Sequence, residues 1–293
     1  MLALDPILVT GAAGKTGQAV LGRLCAGLED RSRVRAFVRN SAQRAAVSAL
    51  GVDRICEGDL RDRNALFDAI RGAQSIYHIC PNVHPQEVEI GDRLVEVAAD
   101  AGIEHFVFHS VLHPQTRAMP HHWNKLRVEE RLFESALEFT IIQPAPYMQN
   151  VLGQWPAIVD DGVYEIPYDA STRFAMVDLD DVAEVAARVL IENGHRGAIY
   201  ELAASELLTQ AEVARVIGGV LGREIAVETI DRSTWADRAR ATGMGDFQVE
   251  TLLAMFRYYE RFGMAGNPRV LTSLLGRQPT SFSQFLGRLR PGT

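Results

Sequence analysis

The chain has few cysteines, no excess of positive charge and no long apolar run. Its three cysteines, Cys25, Cys56 and Cys80, form no C-x-x-C pair, which predicts buried thiols in a reducing compartment. The net charge of -7 offers no basic surface for nucleic acid. No segment reaches the roughly 18 apolar residues that cross a bilayer, and the first residues lack the basic start of a signal peptide. We therefore expect a cytoplasmic protein that binds neither nucleic acid nor membrane.

Two common catalytic motifs are also missing. The chain contains no G-x-S-x-G turn, which excludes the nucleophile of an α/β-hydrolase. Four histidines lie close together in the middle of the chain, namely His109, His113, His121 and His122. Their spacing is not that of an H-E-x-x-H zinc site, and no cysteine pair lies nearby to complete a ligand set. We expect no metal site.

Strand-like and helix-like segments alternate over the first half of the chain. Near-continuous apolar segments predict strands at residues 7–10, 34–38, 53–57, 75–79, 105–109 and 139–143. Helical patterns lie between them at residues 15–29, 41–50, 62–71, 86–102 and 122–136. This alternation predicts an α/β fold with a doubly wound parallel sheet of the Rossmann type. Its ligand crevice should lie at the carboxyl ends of the strands.

The regular alternation stops near residue 145, where prolines become frequent. Beyond it the sequence predicts a helix at 178–193, a strand at 197–202, a helix at 209–221 that begins with a capping box, a strand at 225–229, a helical stretch at 233–263 and a short final helix. We expect a dinucleotide-binding domain at residues 1–145 and a smaller α+β substrate-binding lobe at residues 146–293. Segments of this lobe are free to return to the first domain.

A glycine-rich turn follows the first predicted strand at once. Its glycines have the spacing G-x-x-G-x-x-G and precede a helical segment. Glycines allow a tight turn and a close approach to a pyrophosphate, and the helix N-terminus supplies free N–H groups. Lys15 either approaches a phosphate or stays in solvent. The predicted cofactor contacts of this turn are Thr10, Gly11, Gly14, Lys15, Thr16 and Gly17.

Arg39 stands at the exit of the second predicted strand. An NAD site places an acidic residue about 20 residues after the glycines, where it binds the ribose 2′-hydroxyl. Here the basic Arg39 suits a 2′-phosphate instead, so NADP(H) is favoured over NAD(H). The alternative is that Arg39 only ends the strand at the surface. Arg35 is a weaker candidate for the same role.

The next two strand exits supply further predicted cofactor contacts. Asp59 and Leu60 follow the third strand, where they suit the adenine. Alternatively, Asp59 caps the following helix, although Asp62 could fill that role. The fourth strand ends in a segment that would run past the ribose and pyrophosphate, formed by Cys80, Pro81 and Asn82.

These residues resemble the atypical short-chain dehydrogenases, and in particular the NmrA-like family. The resemblance rests on the glycine turn, on Arg39 and on Gly58-Asp59-Leu60, and it continues in Ile141-Ile-Gln-Pro144 and Tyr147-Met-Gln-Asn150. It extends over nearly the whole chain and implies an NAD(P)-binding Rossmann fold, with Pro144 beside the cofactor. The family includes quinone and dye reductases as well as NADP(H)-sensing regulators.

The same resemblance identifies the candidate catalytic residues. Short-chain dehydrogenases use Tyr-x-x-x-Lys, two residues on one helix face, and the matching positions here are His121 and Lys125. This implies that Lys125 binds the nicotinamide ribose. His121 either donates a proton or is a packing or solvent-facing histidine. Ser110, at the end of the fifth strand, either orients the substrate carbonyl or permits close approach of the nicotinamide.

Aromatic and apolar residues after the sixth strand predict the substrate pocket. They are Tyr147, Met148, Trp155 and Phe174. Together they would suit a flat or hydrophobic substrate, and the alternative is that they pack within the lobe.

We therefore expect an NADP(H)-dependent oxidoreductase that reduces a small hydrophobic carbonyl, quinone or enone. One alternative is a non-catalytic NADP(H) sensor that acts through a protein partner. A third is an isomerase or lyase that reuses the fold, because a fold alone does not fix a function. The sequence allows a homodimer.

Overall fold

The computed structural model describes residues 6–81 and 83–289, and this part of the chain has an α/β fold. The strands are β1 (Ile7–Val9), β2 (Val34–Val38), β3 (Arg54–Glu57), β4 (Ser75–His78), β5 (His105–His109), β6 (Phe139–Pro144), β7 (Val163–Ile166), β8 (Arg173–Ala175), β9 (Ala198–Leu202), β10 (Leu207–Thr209) and β11 (Ala226–Thr229). The helices are α1 (Lys15–Gly27), α2 (Ser41–Ser48), α3 (Arg63–Ile70), α4 (Glu87–Asp100), α5 (Pro120–Phe133), α6 (Trp155–Asp160), α7 (Leu179–Ile191), α8 (Gln210–Leu221), α9 (Arg232–Ala241), α10 (Asp246–Phe262), α11 (Arg269–Leu275) and α12 (Phe282–Gly287). None of these helices is long and apolar enough to span a membrane.

The central sheet has the strand order β3-β2-β1-β4-β5-β6-β9. All pairings among β1 to β6 are parallel. The order reverses between β1 and β4, and in a doubly wound sheet such a reversal opens a crevice at the carboxyl ends of the strands. The side chains of β1, β4 and β5 are buried throughout, as expected for strands covered on both faces. The predicted α/β fold with a doubly wound parallel sheet is confirmed.

Strands and helices predicted for the first half are all present, with ends that differ by no more than three residues. Each helix buries one apolar stripe. Leu94, Val97 and Ala98 of α4 join the same core cluster as Val128 and Leu132 of α5. The two helices approach closely at Gly91, where a Cβ would lie 2.5 Å from Val128 Cγ2. Because Gly91 has no side chain, the N-terminal part of α4 packs close to the middle of α5.

The chain forms two compact units. The first contains the residues up to Gln115 together with His122–Gln143 and Val182–Tyr200. The second contains Thr116–His121, Pro144–Asp181 and the residues from Glu201 onward.

The second unit contains structure that the sequence pattern did not predict. Its strands form two small sheets, a parallel β7–β11 pair and an antiparallel β8–β10 pair. The elements α6, β7, β8, β10 and α11 are additional to the predicted ones. The helical stretch predicted at 233–263 consists of two helices, α9 and α10, separated by a turn in which Gly243 has φ +88°. The capping box of α8, made by Thr209 and Glu212, is confirmed.

Two buried aspartates at the start of α7 hold the C-terminal segment within the second unit. Asp181 accepts hydrogen bonds from Arg277 Nη2 at 2.8 Å and from the Thr280 N–H at 2.7 Å. Asp178 forms an ion pair with Arg288. Because both carboxylates are fully buried, these contacts satisfy charges that would otherwise be costly to bury.

Gly17→Ala should destabilise the protein, whereas Gly22→Ala in the same helix should stabilise it. A Cβ on Gly17 would lie 2.4 Å from the Gly11 carbonyl oxygen and 2.7 Å from Ala12 Cα, so we expect a loss of about 1–3 kcal/mol in the free energy of unfolding. A Cβ on Gly22 meets no atom within 4 Å, and alanine there should add about 0.5–1 kcal/mol. Urea unfolding of both variants measures the two effects. Changes of the same sign and size in the two variants would contradict the close packing of Gly17 against the turn.

Candidate active site

The glycine turn connects β1 to α1 and lies against the exit of β4. Gly11 has φ +60°, and a Cβ there would lie 2.6 Å from the carbonyl oxygen of Ile79. Only glycine combines this conformation with so close an approach. Thr10 is fully buried, and its Oγ1 lies 2.7 Å from His78 Nδ1 and accepts a hydrogen bond from the Ile79 N–H at 3.2 Å. The Thr10 side chain therefore joins the ends of β1 and β4.

The N-terminus of α1 is the strongest anion-binding feature of the turn. Its N-cap residue is Gly14, which provides no side-chain acceptor, and the first turn contains no acidic residue. Neither an N-cap side chain nor an acidic residue of the first turn therefore offsets the partial positive charge at the N-terminus of α1. Gly14 and Lys15 are exposed, and Thr16 is half-buried behind them. This turn can accommodate a phosphate group.

Arg39 is exposed at the exit of β2. Its backbone N–H donates to Gln43 Oε1 at 2.8 Å, and within the described residues its guanidinium makes no ion pair. Arg35 differs, because its Nη1 donates to the carbonyl oxygens of Ala69 at 2.5 Å and Arg71 at 3.0 Å. The guanidinium of Arg39 is therefore available to a ligand, whereas that of Arg35 holds the end of α3.

Asp59 and Leu60 follow β3. Asp59 accepts hydrogen bonds from the backbone N–H of Arg61 at 2.8 Å and from its Nε at 2.9 Å, and these bonds lower the pKa of Asp59 to about 2. The N-cap of α3 is Asp62, so the alternative that Asp59 caps this helix is wrong. Leu60 packs against the core of the first unit. The carboxylate of Asp59 is ionised and lies at the surface of the strand exit.

Beyond β4, Cys80 is buried and Pro81 is exposed, whereas Asn82 lies outside the described residues. Burial raises the pKa of the Cys80 thiol, and the nearby carboxylate of Glu87 raises it further. Cys80 is therefore a neutral thiol rather than a reactive thiolate.

Lys125 forms a buried ion pair with Glu87. Lys125 Nζ lies 2.7 Å from Glu87 Oε1, and the two side chains are 15% and 2% exposed. Nζ also lies 3.4 Å from the carbonyl oxygen of His109 and 5.6 Å from the ring centre of Phe108. Burial alone would lower the pKa of Lys125, but Glu87 and its neighbours more than offset this, and the pKa is raised above 10.5. Lys125 is held as an ammonium ion.

Glu87 is absent from the residues predicted as site residues. A signal was available in the sequence, because Glu87 falls on the same helical face as Ile90, Gly91 and Leu94, which form the buried stripe of α4. An acidic residue within a buried stripe indicates a buried partner.

Ser110 belongs to a second buried polar group. Its Oγ donates to Glu129 Oε1, and Gln143 Nε2 lies 3.0 and 3.1 Å from the two oxygens of the same carboxylate. Burial raises the pKa of Glu129, although the bonds from Ser110 and Gln143 and the charge of Lys125 oppose this shift. Glu129 and Gln143 are also missing from the predicted site residues. The spacing Lys-x-x-x-Glu on α5 places Glu129 one turn from Lys125 and was the available signal.

The histidines around this group are neutral. Burial lowers the pKa of His78 and His109 to about 3, and the charge of Lys125 lowers both further. Burial likewise lowers the pKa of His122 to about 4. Within residues 6–81 and 83–289, no group of three or more His, Cys, Asp or Glu side chains could hold a metal ion.

The remaining predicted residues belong to the second unit. His121 is half-buried in the first turn of α5, and Pro144 is buried at the end of β6. Tyr147 is half-buried and pairs with Val177 through an isolated bridge.

The predicted pocket residues differ in their surroundings within that unit. Met148 is buried in the core of the unit, and Trp155 packs against the same core. Phe174 is buried, with its ring centre 4.7 Å from that of Tyr259 and 5.5 Å from that of Tyr168. Their role in binding a substrate stays a prediction.

The chain is similar in sequence and in structure to several proteins that are named as reductases or oxidoreductases. The chain is 25% identical over 283 residues to quinone oxidoreductase 2 of Escherichia coli (strain K12), covering 97% of this chain and 98% of the relative. It is 27% identical over 284 residues to an NAD(P)H azoreductase of Xenophilus azovorans, covering 95% and 96%. The crystal structure of the NADPH-dependent quinone oxidoreductase of Escherichia coli in complex with NADPH superposes with a TM-score of 0.84 and 25% identity, covering 96% of this chain and 98% of that one.

The model of the NmrA-like family matches residues 4–286. This match includes the glycine turn, the buried pair of Lys125 and Glu87 and nearly all of the second unit. The chain is a member of the NmrA-like family.

Proposed function

We propose that the protein is an NADP(H)-dependent reductase of small, flat, conjugated acceptors such as quinones. The observation that carries the proposal is the arrangement at the carboxyl ends of β1, β2 and β5. Three groups of the first unit lie there. They are the N-terminus of α1, which has no side-chain cap at its N-cap residue, the guanidinium of Arg39, which makes no ion pair within the described residues, and the buried ammonium of Lys125.

The residues of the first unit fit a dinucleotide. The N-terminus of α1, which no side chain of its N-cap residue caps, suits the pyrophosphate, and the absence of a side chain at the exposed Gly14 leaves the backbone there open to close approach. Asp59 and Leu60 are suited to the adenine. Lys125 is suited to the hydroxyl groups of the nicotinamide ribose.

Arg39 supports the choice of NADP(H) over NAD(H). The exit of β2 has no acidic residue to bind a 2′-hydroxyl, and the next residue, Asn40, is committed to capping α2. A guanidinium forms strong charge-assisted hydrogen bonds with a phosphate. The 2′-phosphate of NADP(H) therefore gains a partner that NAD(H) lacks.

The chemistry follows from what these residues hold in place. When bound, NADPH supplies a hydride from C4 of its nicotinamide. Lys125 fixes the adjoining ribose and thereby the ring. His121 is the proposed proton donor to the reduced acceptor, and Ser110 stays linked to Glu129, so that its small side chain leaves room at the end of β5.

The proposed substrate class draws support from the relatives. One is named a quinone oxidoreductase and another an azoreductase, and both kinds of acceptor are planar and conjugated. Tyr147 and Trp155 are aromatic, half-buried residues of the second unit, and they are the proposed contacts of such an acceptor.

Steady-state assays test the proposed function directly. The purified protein should oxidise NADPH when simple quinones are added anaerobically, and it should do so faster than with a matched set of aldehydes. Tight binding of NADPH without turnover over the whole panel would contradict the proposal and favour a non-catalytic sensor.

Arg39→Asp should weaken NADPH binding far more than NADH binding. Loss of a charged hydrogen bond to the 2′-phosphate should raise the Kd of NADPH about 10–100-fold, because NADH has no group at this position. Titration of cofactor fluorescence with the variant measures both constants. Arg23→Asp, an exposed change of the same charge on α1, is the matched control for the long-range effect of charge. A similar loss for NADPH and NADH would remove Arg39 from cofactor selection.

His121→Phe should lower kcat about 100-fold if the imidazole supplies the proton. His121→Gln should behave like the phenylalanine variant, because neither side chain donates a proton as an acid. Unchanged turnover in both variants would assign the proton to solvent.

A further inference from the structure

Lysine is nearly absent from this chain. The 30 basic residues include only two lysines, Lys15 and Lys125, and all the others are arginines. Both lysines lie at the proposed cofactor site. Lys125 has its own buried acidic partner, Glu87, which comes from a different helix.

We propose that Glu87 is a positioning residue, which holds the Lys125 ammonium in place at the nicotinamide end of the cofactor site. Glu87 is almost completely buried, and its proposed action on the cofactor is through Lys125 rather than by direct contact. The role of Lys125 toward the ribose rests on the proposed function, whereas the pairing of Lys125 with Glu87 does not.

The geometry of the pair is fixed by helix packing. Glu87 lies one turn before Gly91 in α4, and Lys125 lies one turn before Val128 in α5. Because the helices touch at Gly91 and Val128, the two charged groups meet at 2.7 Å. A buried pair held by rigid elements loses little freedom when it forms.

Glu87 is the only acid that pairs directly with Lys125 within the described residues. The titratable groups around Lys125 are Glu87 on α4, Cys80 after β4, His78 on β4, His109 on β5, and His122 and Glu129 on α5. The thiol and the three histidines are neutral at pH 7. Glu129 is bound to Ser110 and Gln143 instead. Without Glu87, a buried ammonium would lack its counter-charge.

One buried oxygen of Glu87 supports a role beyond packing. Glu87 Oε2 is buried and makes no hydrogen bond within the part of the chain that the structure describes. Burying such an oxygen is unfavourable. If the pair served only to join α4 to α5, apolar side chains would do so at a lower cost in free energy.

The scarcity of lysine makes a direct test simple. Protein labelled with ¹³C at the lysine ε-carbon has two signals, and Lys15→Arg assigns the one that belongs to Lys125. In the protein with Glu87, Lys125 should remain an ammonium ion to a higher pH than an ordinary lysine, since the carboxylate 2.7 Å away raises its pKa. In Glu87→Gln the titration of Lys125 should move to lower pH, because burial then acts with less opposition. An unchanged titration of Lys125 would overturn the proposal.

The functional test uses the same variants. Glu87→Gln should lower kcat/KM for NADPH about tenfold. The alkaline limb of its pH–activity profile should also lie at lower pH than that of the unmodified protein. Glu87→Asp should restore part of both effects, because it retains the charge. Glu89→Gln, an exposed change on the same turn of α4, is the matched control and should resemble the unmodified protein.

The outcomes separate the two claims. If the unmodified protein fails to use NADPH, the proposed function fails, while the lysine titration still tests the pairing. If the protein is active and Glu87→Gln retains its activity and pH profile, the positioning role of Glu87 is wrong. If Glu87→Gln does not fold, the Glu87→Asp variant carries the comparison: a rate and a Lys125 titration that both shift part of the way support the positioning role, and a rate and titration equal to those of the unmodified protein overturn it.

Discussion

The architecture of the site depends on one close contact between two strand exits. At Gly11 the chain leaves β1 so close to the Ile79 carbonyl at the end of β4 that no Cβ fits between them. A Cβ on Gly17 would likewise lie only 2.4 Å from the Gly11 carbonyl oxygen, so the first turn of α1 packs against the same part of the turn. The uncapped N-terminus of α1 therefore lies at the point where the strand order reverses, between β1 and β4. A helix end suited to an anion therefore lies where the strand order predicts a crevice.

A second constraint acts at the ends of β5 and β6. Charged and polar side chains that would be costly to bury singly are arranged as two hydrogen-bonded groups, Lys125 with Glu87 and Glu129 with Ser110 and Gln143. The neighbouring histidines are neutral because they are buried close to an ammonium. The result is a fixed positive charge near the end of β5, where we propose that the nicotinamide ribose binds. Hydride transfer in the proposed reaction depends on such fixed orientation.

Much of the first unit could be predicted from the sequence, because its strands are buried on both faces and its helices carry clear apolar stripes. The second unit was harder, since β8 and β10 have three residues each and the turn at Gly243 divides an otherwise helical pattern. The acidic partners Glu87 and Glu129 were missed because a sequence shows that an acid lies on a helix face but not what faces it. Arg39 could be selected as a candidate because the fold fixes its position relative to the glycines, and its contact with a cofactor stays a prediction.

The most direct test of the central claim is the rate of NADPH oxidation in a single turnover with an excess of enzyme, measured anaerobically after mixing with a simple quinone. We expect NADPH absorbance to decay in step with reduction of the quinone, and the decay to slow when the transferred hydrogen at C4 is replaced by deuterium. Bound NADPH that stays reduced in the presence of the quinone, or a decay without an isotope effect under conditions where chemistry limits the rate, would contradict the assignment as a hydride-transferring reductase.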